Sequence, residues 1–265
     1  AFPGDRHIPR YRMLAIDLNT GKQVDAHYLP LPAVRMNDTP FEGNRTWWHK
    51  DSKTAYFVDI ERGERNVHVV AFNTDTGSTR KVFSETVETG YIELGTDVYL
   101  PGLLVPIAES NELIWYSERS GWAHLYLYDL STGVMKRALT QGDWRVRGVL
   151  GLDQQRRELF ISLSGRDTEL DPYYRQIARV NLDTAELTLL SGSDADHLVY
   201  QKGDTNLIFY SVLTGEGTDD IAGLSPNTNF YVETLQRPDR LSKTILRDRD
   251  GRQIMVVETG ETTAR

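Results

Sequence analysis

The side chains able to do acid–base, nucleophilic or metal chemistry are scattered along the 265 residues. The six histidines are His7, His27, His49, His68, His124 and His197. None pairs at H-x-H or H-x-x-x-H spacing, the intervals that bring two imidazoles to one metal. Cysteine is absent, which removes thiolate ligands, thiol nucleophiles and disulfides. Serines beside acids are plentiful. Serine chemistry, however, needs the hydroxyl on a strained turn next to an oxyanion hole, and no G-x-S-x-G segment occurs. Two acidic turns, "NTDTGS" (73–78) and "DRDGR" (248–252), suggest calcium loops. A helix-flanked calcium loop closes on a glutamate at its twelfth position, and counting from Asp248 that position is Thr259. Both are expected to be hairpin turns. No catalytic residue, metal site or cofactor is expected in this chain.

The most distinctive cluster is "SERSGWAHLYLYDLSTGVMKRALTQGDW" at 117–144. Glu118 and Arg119 enter a tight loop beside Gly121, and a local ion pair fixing that loop is expected; a role facing a central tunnel is the sharper alternative. His124 starts a strand beside Trp122 and is expected to make a structural hydrogen bond to loop backbone. Tyr126 and Tyr128 are expected to pack between sheets, with their hydroxyls reaching polar groups at the edges. Trp122 and Trp144 are expected to be buried at contacts between sheets. Asn37-Asp38-Thr39 and Asn44-Arg45-Thr46 match glycosylation acceptors, a short pattern that is mostly met by chance.

The elements that must position these residues are strands. "RMLAID" (12–17), "TAYFVDI" (54–60), "NVHVVAF" (66–72), "ELIWYS" (112–117), "HLYLYDL" (124–130), "ELFISLS" (158–164), "NLIFYSV" (206–212) and "NFYVETL" (229–235) are short, rich in β-branched and aromatic residues, and bounded by turn formers. No segment keeps an i, i+3, i+4 apolar pattern with helix caps. One turn recurs: "DLNTG" (17–21), "NTDTG" (73–77), "DLSTG" (129–133), "NLDTA" (181–185) and "RDRDG" (247–251). The intervals between their last residues, Gly21, Gly77, Gly133, Ala185 and Gly251, are 56, 56, 52 and 66. A period of this size with four strands in it is that of a β-propeller blade. The fold class is therefore all-β, a partial β-propeller of about four to five four-stranded antiparallel blades. The repeats fall near 10–29, 38–90, 91–145, 146–195 and 196–258, in a single propeller region spanning 1–265. A β-sandwich or solenoid is the rival, but such folds rarely repeat one turn so evenly.

Lysine and arginine number 30 against 38 acidic residues, for a net charge of −8. The basic residues never form a run of five, so nucleic acid is not an expected partner. No apolar stretch reaches the roughly 20 residues of a membrane-spanning helix. The start, "AFPGDRHIPRYR", carries no apolar core of a signal peptide.

"SERSGWAHLYLYDL" (117–130) followed by "LTQGDWRVRGVLGLD" (139–153) resembles the N-terminal propeller of dipeptidyl peptidase IV-type serine peptidases of the prolyl oligopeptidase family. "YYRQIARVNLD" (173–183) and "LSPNTNFYVETLQRPDRLSKTILRDRDG" (224–251) resemble the blades that follow, in the same order. The resemblance covers 110–258 well and 10–90 more loosely. It implies an eight-bladed propeller over an α/β-hydrolase domain bearing a Ser-Asp-His triad, the two enclosing a cavity for short peptides. It implies release of N-terminal dipeptides, usually after proline or alanine.

The paired glutamates that hold a substrate's amino terminus in that family have no counterpart here, since no Glu-Glu dipeptide occurs. The chain thus reads as the C-terminal half of a propeller, non-catalytic by itself, with the hydrolase domain of its parent chain and a peptide substrate as partners. By the resemblance, "GYIELGTDVYLP" (90–101) borders the substrate cavity, with Tyr91 and Tyr99 as its aromatics but no arginine. Glu118 and Arg119 are the other cavity candidates. A bacterial source and an exported or periplasmic parent are expected. So is a homodimer through the open propeller ends, 10–60 and 224–258. A free-standing propeller that binds a protein or peptide is the alternative.

Overall fold

The computed structural model describes residues 4–33, 45–95, 103–192, 194–200 and 223–261. Every regular element among them is a strand. The first four are short: β1 (Arg10–Tyr11), β2 (Leu14–Ile16), β3 (Gln23–Asp25) and β4 (Leu31–Pro32). β2 pairs β3 and β1 pairs β4, giving two two-stranded sheets in the first repeat. Four four-stranded sheets follow. The first is β5 (Thr46–Trp48), β6 (Thr54–Ile60), β7 (Asn66–Asn73) and β8 (Thr79–Thr86). The next is β9 (Leu104–Ile107), β10 (Glu112–Ser117), β11 (His124–Asp129) and β12 (Met135–Ala138). Then come β13 (Arg145–Asp153), β14 (Glu158–Ser164), β15 (Gln176–Asn181) and β16 (Leu187–Leu189). The last is β17 (Asp196–Leu198), β18 (Phe230–Arg237), β19 (Arg240–Asp248) and β20 (Gln253–Thr259). In each sheet the strands lie in chain order, antiparallel, as in a propeller blade. The strand expected at 206–212, the acceptor at 37–39 and Asn44 of the second acceptor lie outside the described residues.

The repeated turn has one structure in four of its five copies. Asp17, Asn73, Asp129 and Asn181 each accept two backbone N–H bonds at Oδ1, from the residues two and three further on. Asp248 accepts from Asp250 and Arg252, two and four further on, in a turn one residue shorter. A side-chain oxygen that closes its own turn is the physical reason Asp and Asn stand there. The last turn residue has positive φ in every copy: Gly21 70°, Gly77 82°, Gly133 76°, Ala185 61° and Gly251 84°. In the two calcium-like segments Asn73 and Asp248 close their own turns, while the carboxylates of Asp75 and Asp250 face Lys53 and Arg179, as expected of surface hairpin turns.

The chain forms two compact units, residues 1–95, 101–119 and 126–136 in one, and 96–100, 120–125 and 137–265 in the other. In the first, Phe57, Val70 and Phe72 of the β5–β8 sheet pack with Leu31, Met13, Ala15 and Tyr28 of the leading hairpins. In the second, Phe160, Ile177 and Leu190 meet Val199 and Tyr231. Central strands are buried on both faces, β10 along its whole length. A strand sandwiched between neighbouring sheets has no solvent side, so its sequence, "ELIWYS", does not alternate. The final strand β20 is the reverse, exposed throughout, with Met255 and Val257 more than half exposed at 52% and 54%.

Candidate functional site

Arg119 and the residues around it form a closed polar network in the first unit. Trp115 and Ser117 stand two apart on β10 and share one side of the strand, and the turn after it brings the Arg119 side chain back to that side. That side meets Glu85, near the end of β8 and only 8% exposed. The Glu85 carboxylate accepts the indole N–H of Trp115 at 2.6 Å. It also accepts the Ser117 hydroxyl and the Nη2 of Arg119. Arg119 Nη1 donates to the Tyr128 hydroxyl at 2.8 Å and its Nε to Ser117 Oγ at 2.9 Å. Its guanidinium lies over the Tyr126 ring at 4.5 Å, while the Tyr128 ring stacks on Phe83 at 3.9 Å. Burial opposes the charge on Arg119, but the bonds to Tyr128 and Glu85 outweigh it and raise its pKa, so the guanidinium stays charged.

This arrangement corrects one expectation. Arg119 pairs with Glu85, not with its chain neighbour Glu118. In the turn after β10 Glu118 is exposed, while Arg119 folds back onto Ser117 and Glu85. Glu85 is the residue the sequence reading missed. Its one signal is a charge at an inward position of β8, whose burial pattern places Val82 and Glu85 inside.

The same network limits the chemistry. Ser117 has a hydrogen-bonded carboxylate beside it, the minimum for an activated nucleophile, but its exposure is 0% and both partners of its hydroxyl are protein groups. No substrate atom could approach it. The site is a rigid junction between sheets whose outward side is the partly exposed edge of Arg119.

In the second unit, His124 shares Nδ1 with Thr140 Oγ1 and Nε2 with the Gly142 carbonyl, each at 2.9 Å. Burial lowers its pKa, favouring the neutral ring. Trp144, 7% exposed, meets this ring edge-on at 4.9 Å. Trp122 does not share that burial: it is 42% exposed. It sits where the chain turns at Gly121, φ 89°, before entering β11, so the expected buried contact is corrected. Tyr126 and Tyr128 are both buried, at 6%. Tyr91 is exposed at 62% and Tyr99 lies outside the described residues. Among the described residues no group of three His, Asp or Glu side chains could hold a metal, and no helix is long and apolar enough to cross a membrane.

Four-stranded antiparallel sheets in chain order are the blades of a partial β-propeller. The chain matches the family model "Dipeptidyl peptidase IV (DPP IV) N-terminal region" over residues 3–242. It belongs to that family. Dipeptidyl peptidase 4 of Trichophyton equinum is 30% identical over 167 residues, 61% of this chain and 20% of the relative. "Probable dipeptidyl peptidase 4" of Aspergillus flavus is 32% identical over 154 residues, 55% of this chain and 16% of the relative. Among solved structures, Porphyromonas gingivalis dipeptidyl peptidase 4 matches with a TM-score of 0.59 at 15% identity, covering 95% of this chain and 34% of that one. A Bacteroides ovatus protein provisionally assigned as dipeptidyl aminopeptidase IV matches with a TM-score of 0.65 at 18% identity, covering 96% and 34%. The chain therefore spans between a sixth and a third of the length of these relatives, and at such identities the structural likeness speaks for the fold.

Proposed function

We propose that this chain is the non-catalytic propeller region of a dipeptidyl peptidase IV-like serine exopeptidase, where it gates access and shapes the cavity in which N-terminal dipeptides are released. The observation that carries this is the family match across residues 3–242 together with a chain that holds no serine nucleophile elbow. Catalysis then belongs to an α/β-hydrolase domain of the parent protein. The propeller selects by size, because a wall of blades locked by buried contacts such as Glu85–Arg119 admits a short peptide and not a folded protein. The exposed Tyr91 and the outer edge of Arg119 are the described candidates for the cavity wall. The apolar edge at β20 also supports a homodimer through the ends of the chain; a strictly monomeric 30.2 kDa species in light scattering would argue against it.

The test starts from the parent gene. A reading frame that runs past Arg265 into a G-x-S-x-G segment is expected, and a stop codon there would favour a free-standing binding propeller. The parent protein should release dipeptides from a chromogenic Xaa-Pro substrate and from short peptides, while the 265-residue chain alone should not. Equal turnover of short peptides and of folded proteins with the same exposed N-terminal residues would remove the gating role.

A further inference from the structure

We propose that the second unit carries an oxyanion-binding site at the β18–β19 hairpin. A cavity of about 350 Å³ opens there, its floor made of Leu235, Leu241 and Ile245. Its walls hold Arg237, Arg240, Lys243 and Arg247, with Asp194 as the one carboxylate of the lining. This volume suits a small ligand or the end of a larger one.

Two observations favour an anion. The first is strand register. Arg237 and Arg240 stand directly opposite each other across the hairpin. Like charges so placed destabilise a sheet unless an anion offsets them, and Asp239, bonded to Arg237 and close to Arg240, supplies one negative charge for the two. The second is partner supply. Arg237 is forked onto Asp239, with bonds of 2.7 and 2.9 Å, and Arg247 binds Glu233, which is itself 0% exposed. Arg240 and Lys243 form no ion pair with any described carboxylate. In a chain with 38 acids against 30 bases, four cations lining one cavity with a single carboxylate are out of keeping with the overall balance. Setting Glu233, Asp239 and Asp194 against the four cations of the walls still leaves one net positive charge. Beside the cavity a buried histidine already faces a carboxylate of the lining. His197, 1% exposed, bonds Glu233 through Nδ1, while its Nε2 has no hydrogen-bond partner among the described residues. That nitrogen lies 3.5 Å from Oδ1 of Asp194, a residue of the cavity lining.

The ligand chemistry is a compact oxyanion, a phosphate or carboxylate group, seated between Arg240 and Lys243 over the apolar floor. That floor excludes water from one side and strengthens charge-assisted hydrogen bonds. The backbone is antiparallel sheet on a formed hairpin, so little ordering is needed on binding.

The experiment titrates inorganic phosphate into the 265-residue chain against chloride at matched ionic strength, with thermal unfolding and backbone NMR shifts as readouts. Succinate forms a second arm, to separate phosphate from carboxylate recognition. Saturable shifts at 235–247 in either arm are expected. They should weaken roughly tenfold for each cation lost in Arg240→Ala and Lys243→Ala, the scale of one charge-assisted hydrogen bond. The charge-keeping pair Arg240→Lys and Lys243→Arg should retain most of the binding, and Lys22→Ala in the other unit should leave it unchanged. Absence of saturable shifts with both anions overturns the proposal. So does a response that the double alanine variant keeps.

Discussion

The Nη2 of Arg119 donates to the carboxylate of Glu85, 34 residues earlier in the chain, and ties the loop after β10 to the outer strand of the preceding sheet. Glu85 also holds Trp115 and Ser117, so its removal leaves three donors facing no acceptor. Breaking a buried charged partnership from one side costs about 3–5 kcal/mol. Glu85→Ala should therefore destabilise by about 3 kcal/mol or more in urea titration. Arg119→Ala should cost less, about 1–2 kcal/mol, because the arginine side chain is 32% exposed and Glu85 keeps two donors. The reverse order would contradict the network.

The turn glycines separate backbone strain from close approach. A Cβ on Gly133 would lie 2.0 Å from the carbonyl oxygen of Val82, whereas one on Gly21 meets nothing within 4 Å. Both have positive φ. Gly21→Ala should cost only the conformational penalty, about 1–2 kcal/mol. Gly133→Ala should cost clearly more, since β8 must shift to admit the methyl group. Equal losses in denaturant midpoints would show that the approach is not maintained in solution.

The two tryptophans should behave differently. Trp144 is nearly buried against His124, and Trp144→Ala should cost about 3–5 kcal/mol. Trp122 is 42% exposed, and Trp122→Ala should stay within about 1 kcal/mol. Quenching by acrylamide provides a second readout, with Trp122 accessible and Trp144 protected.

Asp153 makes stability depend on acid. Burial would raise its pKa, but bonds from the Arg156 backbone and guanidinium and from Thr228 outweigh that and hold it at about 2. A carboxylate depressed in the folded state contributes stability that is fully present above its unfolded pKa, near 3.9. That contribution should fade as pH falls from about 4 to 2, and after allowance for solvent screening it is on the order of 1 kcal/mol. Asp153→Asn should flatten this part of the pH–stability curve. An unchanged slope would assign the acid sensitivity to other groups.

The sequence by itself determined the strands and the turns. "TAYFVDI", "ELIWYS" and "ELFISLS" coincide with β6, β10 and β14, and the five Asx turns stand where the repeat puts them. These are local matters: a side-chain oxygen reaching two residues along its own chain, and a positive φ, are encoded within five residues. The resemblance at 117–153 was equally legible and named the family. Tertiary structure alone decided the partners. Nothing in "SERSGW" points to Glu85, because the pairing depends on which edge of β8 meets which face of β10. The exposure of Trp122 depends on where the chain turns at Gly121, and a tryptophan's type says nothing of that direction. The cations of the β18–β19 hairpin read as ordinary surface residues until register placed Arg237 against Arg240 over one cavity. Local rules fix what each segment becomes, whereas charge partners and cavities are set by contacts between segments far apart in the chain, where sequence distance carries no geometry.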